Sequence, residues 1–293
     1  MLSLIDPVII AAAIALAVSV NFGLASHVQH IAVDHMDAGT GTLVNIATTA
    51  LILAALSPLY LVPESLLTIP VAYFVAAGLI VPSLSITVST MSVKIIGPGL
   101  TAGLAATSPI FAMVIAVLFL GEIVTAQILL GTLIVIAGVM LIAGLRSRST
   151  TSTWPLWAIA LPLVAALTRG ISHPMMKLGL TGLPSPMTAA LVSSSVSLVV
   201  LGLVRLGTRR RLPAWNRGYL WFALCGIING VGIVGMGIAL SIGSVIVVSP
   251  LIATTPVFTL LLGYLVFRRE TITWPTVAAI VLIFAGCVLI ILR

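Results

Sequence analysis

Charge is scarce in this chain. Only 6% of its 293 residues are Asp, Glu, Lys or Arg, where a soluble globular protein carries about 25%. With 60% of residues apolar, no soluble fold could hide so much hydrocarbon, so a bilayer must act as its solvent. Acid is the rarest charge. The six acidic residues are Asp6, Asp34, Asp37, Glu64, Glu122 and Glu270, each near the end of an apolar run. No carboxylate therefore falls at mid-membrane, where proton-coupled exchange of a cationic drug calls for one. A neutral or anionic metabolite is favoured instead. Aromatics are also sparse, at 6%, which weakens any case for an aromatic cage around a quaternary ammonium. The two cysteines, Cys225 and Cys287, lie inside apolar runs. They read as small packing residues and imply no disulfide framework.

Other absences narrow the function. No G-x-x-x-x-G-K-[ST] loop occurs and no stretch is left for a soluble domain, so a self-contained ATP-driven pump is excluded. There is no H-E-x-x-H, and no Ser-His-Asp grouping falls at one depth. Neither an enzyme nor a bound cofactor is expected. The net charge of +7 comes from basic residues in short loops, where they set orientation rather than bind nucleic acid. The start, MLSLIDPVII, has no basic residue before its apolar stretch. It reads as a retained first span rather than a signal peptide. The expected partners are the lipid bilayer and a small-molecule substrate. Oligomeric state stays open, because small-residue motifs serve internal packing and dimerisation equally.

What the chain does have is apolar length. Ten segments are long enough to cross a bilayer: 5–27, 40–62, 67–90, 96–120, 124–145, 154–178, 186–206, 218–240, 243–267 and 272–292. The fifth is followed by the polar stretch RSRSTTST, the only reasonable internal boundary. It divides the chain into 1–148 and 149–293. The halves repeat one pattern at an offset of 148. Glu122 falls on Glu270, Gly138 on Gly286, Asn21 on Arg169 and Asp37 on Ser185, and Pro109 and Pro256 sit at closely similar places. Five spans per half is an odd number, so the second copy enters the membrane in the opposite sense. The expected fold is an all-α membrane protein of ten transmembrane helices, arranged as two inverted five-helix repeats around a central cavity. Prolines 82, 109, 174, 250 and 256 lie inside spans and favour kinks. Gly99 with Gly103, and Gly226 with Gly230, are spaced for close helix approach.

The run from Pro109 through Glu122, Thr125, Gln127, Gly131 and Gly138 resembles the EamA type of the drug/metabolite transporter superfamily. So does the second copy, ALSIGSVIVVSPLIATTPVFTLLLGYLVFRRETITW. The likeness covers nearly the whole chain. It implies ten helices, a cavity built mainly by the first four helices of each half, and a peripheral last helix in each. One departure is Arg269-Glu270 where the first copy has Gly121-Glu122.

Orientation sets two arguments against each other. The loops after odd-numbered spans hold Lys94, Arg146, Arg148, Arg205, Arg209, Arg210, Arg211, Arg217, Arg268 and Arg269, while the other side holds Lys177 and Arg293. An excess of Lys and Arg marks the cytoplasmic face, which puts both termini outside. The family resemblance implies termini in the cytoplasm. The charge count predicts that a cysteine at position 3 reacts with a membrane-impermeant reagent on intact cells, and protection of that position would reverse the assignment.

Arg169 is the sharpest site candidate. It lies near the middle of the sixth span, where an arginine costs roughly 2.5–3.5 kcal/mol on insertion scales. His173 and Lys177 follow at four-residue steps, forming a positive stripe suited to a carboxylate or phosphate. The alternative is an arginine tied to carbonyls freed at a kink, a packed histidine and a snorkelling lysine. Asn21, at the repeat-equivalent place in span one, is a candidate for pairing with Arg169 or with substrate, or for a structural bond between helices. Asn45, Asn229 and Ser194, with Ser193 and Ser195, are further candidate cavity groups. His27, His30, Asp34, His35 and Asp37 cluster at the end of span one and read as a solvated helix end rather than a metal site. Glu122 and Glu270 read as caps or loop anchors. The function expected is secondary transport, export or exchange, of a small polar neutral or anionic metabolite by alternating access in a bacterial inner membrane. A flippase for an anionic lipid or polyprenyl carrier is the rival on the same scaffold.

Overall fold

The computed structural model describes residues 6–146, 155–208, 213–268 and 272–292. Glu270, Arg269 and the Arg209–Arg211 run lie outside them. Within them the chain is helical and contains no strand. Among the described residues nine helices are long and apolar enough to cross a membrane, so the chain is a multi-pass integral membrane protein.

Helix starts follow local chemistry. Asp6 caps α1 (Pro7–Ala32), accepting from the Val8 N–H at 2.9 Å, with proline at the first helical position. Asp37 caps α2 (Ala38–Leu56) by accepting from the Thr40 N–H at 3.0 Å. The Thr40 hydroxyl, more than its N–H and the nearby Arg205, holds the Asp37 carboxyl below the usual carboxylate range. In the second half Ser185 caps α9 (Pro186–Gly207) by accepting from the Thr188 N–H at 3.3 Å. Asp37 with Thr40 and Ser185 with Thr188 are 148 residues apart, so the duplicated sequence writes the same cap twice.

The third segment is not one helix. It divides into α3 (Ile69–Leu79) and α4 (Ser85–Ile96). Between them Val81 is extended, at φ −121° and ψ 131°, because the residue before a proline, here Pro82, is pushed out of the helical region. Alone, α3 is too short to count among the nine. Spans four and nine are also broken, into α5 (Pro98–Ala105) with α6 (Ser108–Leu120), and α11 (Val245–Ile252) with α12 (Thr255–Leu265). Pro109 and Pro256 open the second helix of each pair rather than bend a continuous one. Pro174 stays inside α8 (Ala160–Gly182). The remaining long helices are α7 (Ala126–Arg146), α10 (Arg217–Ile242) and α13 (Trp274–Ile291).

Packing between the halves is reciprocal. A methyl on Gly78 would collide with the Ser193 carbonyl oxygen, and one on Gly226 with that of Asn45. The Ser197 hydroxyl donates to the Gly78 carbonyl at 2.9 Å, and the Thr49 hydroxyl donates to the Gly226 carbonyl at 2.7 Å. Every member of one set lies 148 residues from its counterpart in the other. The last helices of the halves obey the same rule. Gly131 of α7 meets Gly286 and Ile290 of α13, while Gly138 meets Ala279 and Ile283. As residue numbers rise along α7 they fall along α13, so this pair is antiparallel and crosses where glycine leaves room. Gly78→Ala and Gly226→Ala should each cost about 1–3 kcal/mol, read as lowered thermal stability. Gly144→Ala, with nothing near its added methyl, should not.

Candidate functional site

Between the halves lies a cavity with two adjoining chambers. The larger, about 730 Å³, is walled by α1, α4, α5, α8, α10 and the α11–α12 break, with Phe22, Ser89, Thr101, Arg169, His173 and Ser249 among its lining. The smaller, about 280 Å³, is lined by Gln29, Asn45, Ser194 and Asn229 with Met176 and other apolar groups. Val81, Ser172, Ile233 and Met236 border both.

The large chamber holds the charge. Arg169 Nε donates to Ser85 Oγ at 3.1 Å and Nη2 to Ser89 Oγ at 3.0 Å. Both serines lie on α4, one turn apart, so α4 presents a two-hydroxyl cradle to the guanidinium. Neutral hydroxyls orient the cation without cancelling it, and Arg169 remains exposed at the chamber wall. His173 Nδ1 lies 3.0 Å from Ser249 Oγ on α11. The positive wall thus joins α8 to α4 on one side and to α11 on the other. Among the described residues no acidic residue lines either chamber.

Amides fill the small chamber. Asn229 Nδ2 donates to Asn45 Oδ1 at 3.3 Å and to Cys225 Sγ at 3.4 Å, and Asn45 Nδ2 donates to the same sulfur at 3.3 Å. Ser194 is 5% exposed and its hydroxyl has no partner among the described residues.

Two candidates are not brought to the cavity. Lys177 Nζ donates to the carbonyls of Leu240 at 2.6 Å and Gly243 at 2.9 Å, capping the end of α10. Asn21 lines neither chamber and does not bond Arg169. Its Oδ1 is buried without a partner among the described residues, close to Gly232 of α10. The histidine cluster is divided as well. His27 Nε2 lies 2.7 Å from the Thr259 carbonyl and its ring stacks on Phe267, while Asp37 faces α2.

One end of the cavity is shut. There Glu122 accepts from the N–H of Val245 at 2.8 Å through Oε1 and from that of Ile246 at 3.0 Å through Oε2. A carboxylate on the first turn of α11 meets both free N–H groups and the helix dipole. Lys177 holds the end of α10 just before it, so opposite charges clamp the two sides of the Ile242–Ser244 turn. Gly182 packs on Pro70, Gly237 on Pro186 and Gly243 on Ala11 at the same end. Neither chamber reaches these residues. At the opposite end Ser26, Gln29 and Val93, all cavity-lining, are exposed and form a mouth.

Two matches, to residues 9–144 and 156–292, identify the model of the EamA-like transporter family. The chain belongs to the EamA-like transporter family. Each match covers one of the two halves, so the duplication read from the glutamates is a duplication of the EamA unit. A solved structure described only as a crystal structure of a protein superposes with a TM-score of 0.78 at 16% identity, covering 96% of this chain and 94% of the other. That likeness speaks for the fold alone. Comparison with curated proteins finds no match.

Sequence reasoning missed Ser85, Ser89 and Ser249, the hydroxyls that hold Arg169 and His173. The i, i+4 spacing of Ser85 and Ser89 was visible, but hydroxyls are common in membrane helices and usually bond their own backbone.

Proposed function

We propose that this protein is a secondary transporter, exporting or exchanging a small polar neutral or anionic metabolite across a bacterial inner membrane by alternating access. One observation carries the reading. A guanidinium inside an apolar bundle is held by two neutral hydroxyls and left facing a cavity, where among the described residues no carboxylate neutralises it. An intramembrane cation so placed needs an anion from outside the protein.

The reading takes the halves as inverted repeats. The antiparallel, reciprocal contact of α7 with α13 supports this, because it requires a twofold axis across the helices. The clamp supports the state assigned. Position 29 is the repeat equivalent of Lys177, and Gln29 is exposed at the mouth while Lys177 is bonded at the shut end. Two like halves in unlike positions are what a one-side-open state demands. Among the described residues Lys94, Arg205, Arg217 and Arg268 belong to the mouth end, so the charge count makes this state open to the cytoplasm.

Counterflow in proteoliposomes tests the reading. Preloaded unlabelled anionic metabolites should drive saturable uptake of the labelled species. Movement of labelled lipid alone would point to a flippase, and non-saturable flux to a channel.

A further inference from the structure

The cavity has more chemistry than an anion needs. In the small chamber the threonine hydroxyls are occupied by helix carbonyls, Thr42 donating to Ala38 and Thr49 to Asn45 and Gly226. Other groups are not. Among the described residues the Ser194 hydroxyl, 95% buried, has no hydrogen-bond partner, and neither do the carbonyl oxygen of half-buried Asn229 and the amide of Gln29, exposed at the mouth. A buried hydroxyl such as that of Ser194 is normally satisfied. Donors and acceptors left open around a space of about 280 Å³ suit a ligand that brings its own.

We infer that the small chamber is a subsite for an uncharged, hydrogen-bonding body whose anionic end sits on Arg169, so that the substrate class is a monoanion with a polyhydroxyl or carboxamide body, and zwitterions are rejected. The inference rests on the transport reading of the cavity. Helix α8 sets the dimensions. Ser172, three residues beyond Arg169, borders both chambers, and Met176, seven beyond, lines the small one. At 1.5 Å per residue Ser172 and Met176 lie about 5–10 Å beyond Arg169 along the helix axis, a span comparable with a six-carbon sugar acid. Met176, Met236 and Ile233 line its apolar sides.

Rejection of zwitterions follows from the charges present. Among the described residues Arg169 is the one permanent charge lining either chamber, and His173 is the one other group there that can become cationic. An α-ammonium beside a carboxylate bound at Arg169 would be removed from water with no counter-ion and a like charge nearby. Such an uncompensated charge discriminates strongly. A hydroxyl at the same carbon meets no such penalty.

Four probes on the purified full chain separate the terms: gluconate, 2-amino-2-deoxygluconate, acetate and sorbitol. They are respectively the anion with its body, the zwitterion of the same skeleton, the bare anion and the neutral body. Dissociation constants come from the rise in unfolding temperature with ligand. Gluconate should bind at least about tenfold more tightly than each of the others. Asn229→Leu should weaken gluconate by about tenfold, and Ser194→Ala by about threefold, each leaving acetate within about twofold. Arg169→Gln should weaken gluconate and acetate alike. The inference is overturned if gluconate binds no better than acetate, if the amino sugar acid matches it, or if neither chamber variant separates gluconate from acetate. Tight gluconate binding without flux of any solute in proteoliposomes would end the transport reading and keep the subsite, whereas flux without gluconate preference would do the reverse.

Discussion

Arg169→Ala is expected to lower transport of an anionic substrate by about 30-fold or more, because removing one member of a hydrogen-bonded charge pair that is covered on binding costs on the order of 2–5 kcal/mol. The loss should appear without loss of folding. Among the described residues the Arg169 side chain bonds only serine hydroxyls, and an arginine in mid-span carries an insertion cost of roughly 2.5–3.5 kcal/mol. Its removal should therefore leave thermal stability unchanged or raised. That pairing, lost flux with kept or gained stability, is what a merely structural arginine would not give. Arg169→Lys should recover little, since an ammonium cannot hold Ser85 and Ser89 with one planar fork and still present donors to the cavity. Normal counterflow by the alanine variant would end the anion-site reading.

Glu122→Gln is expected to open the shut end. Both carboxylate oxygens accept from the first N–H groups of α11. An amide offers one acceptor and turns a donor toward the other N–H, forfeiting charge assistance and the dipole interaction. A shift of about 2 kcal/mol would change the closed-to-open ratio roughly 30-fold. The readout is the reaction rate of a cysteine at Val247, fully buried on α11, with an impermeant maleimide added on the shut side. Lys177→Met should act in the same direction through the Leu240 and Gly243 carbonyls. An unchanged rate in both variants would show that glycine-mediated packing, not the charge clamp, keeps this end closed.

The duplication was legible because it is written in residues with strong local roles. Asp37 and Ser185 are both helix caps, and Glu122 and Glu270 fall one in each of the two family matches. Arg169 was legible because a cation in an apolar run is costly anywhere. The facing of Lys177 was not. Four-residue steps advance about 40° beyond a full turn, so a residue eight positions on has rotated about 80° away from Arg169. The stripe drawn from Arg169 through His173 therefore leaves the cavity before it reaches Lys177, which meets the end of α10 instead. The break in the third span was hidden too. Proline often bends a membrane helix without dividing it, and only the extended backbone of Val81 distinguishes the two outcomes. Which end is shut depends on contacts such as Gly243 with Ala11, far apart in the chain and chemically ordinary.

Ser172 gives the most direct test of alternating access, since it borders both chambers. In a Ser172→Cys variant with Cys225 and Cys287 replaced by alanine, an impermeant maleimide should label the site from either face of the membrane, with the rate at each face responding oppositely to Glu122→Gln. Labelling from the mouth side alone, whatever the state of Glu122, would contradict the account.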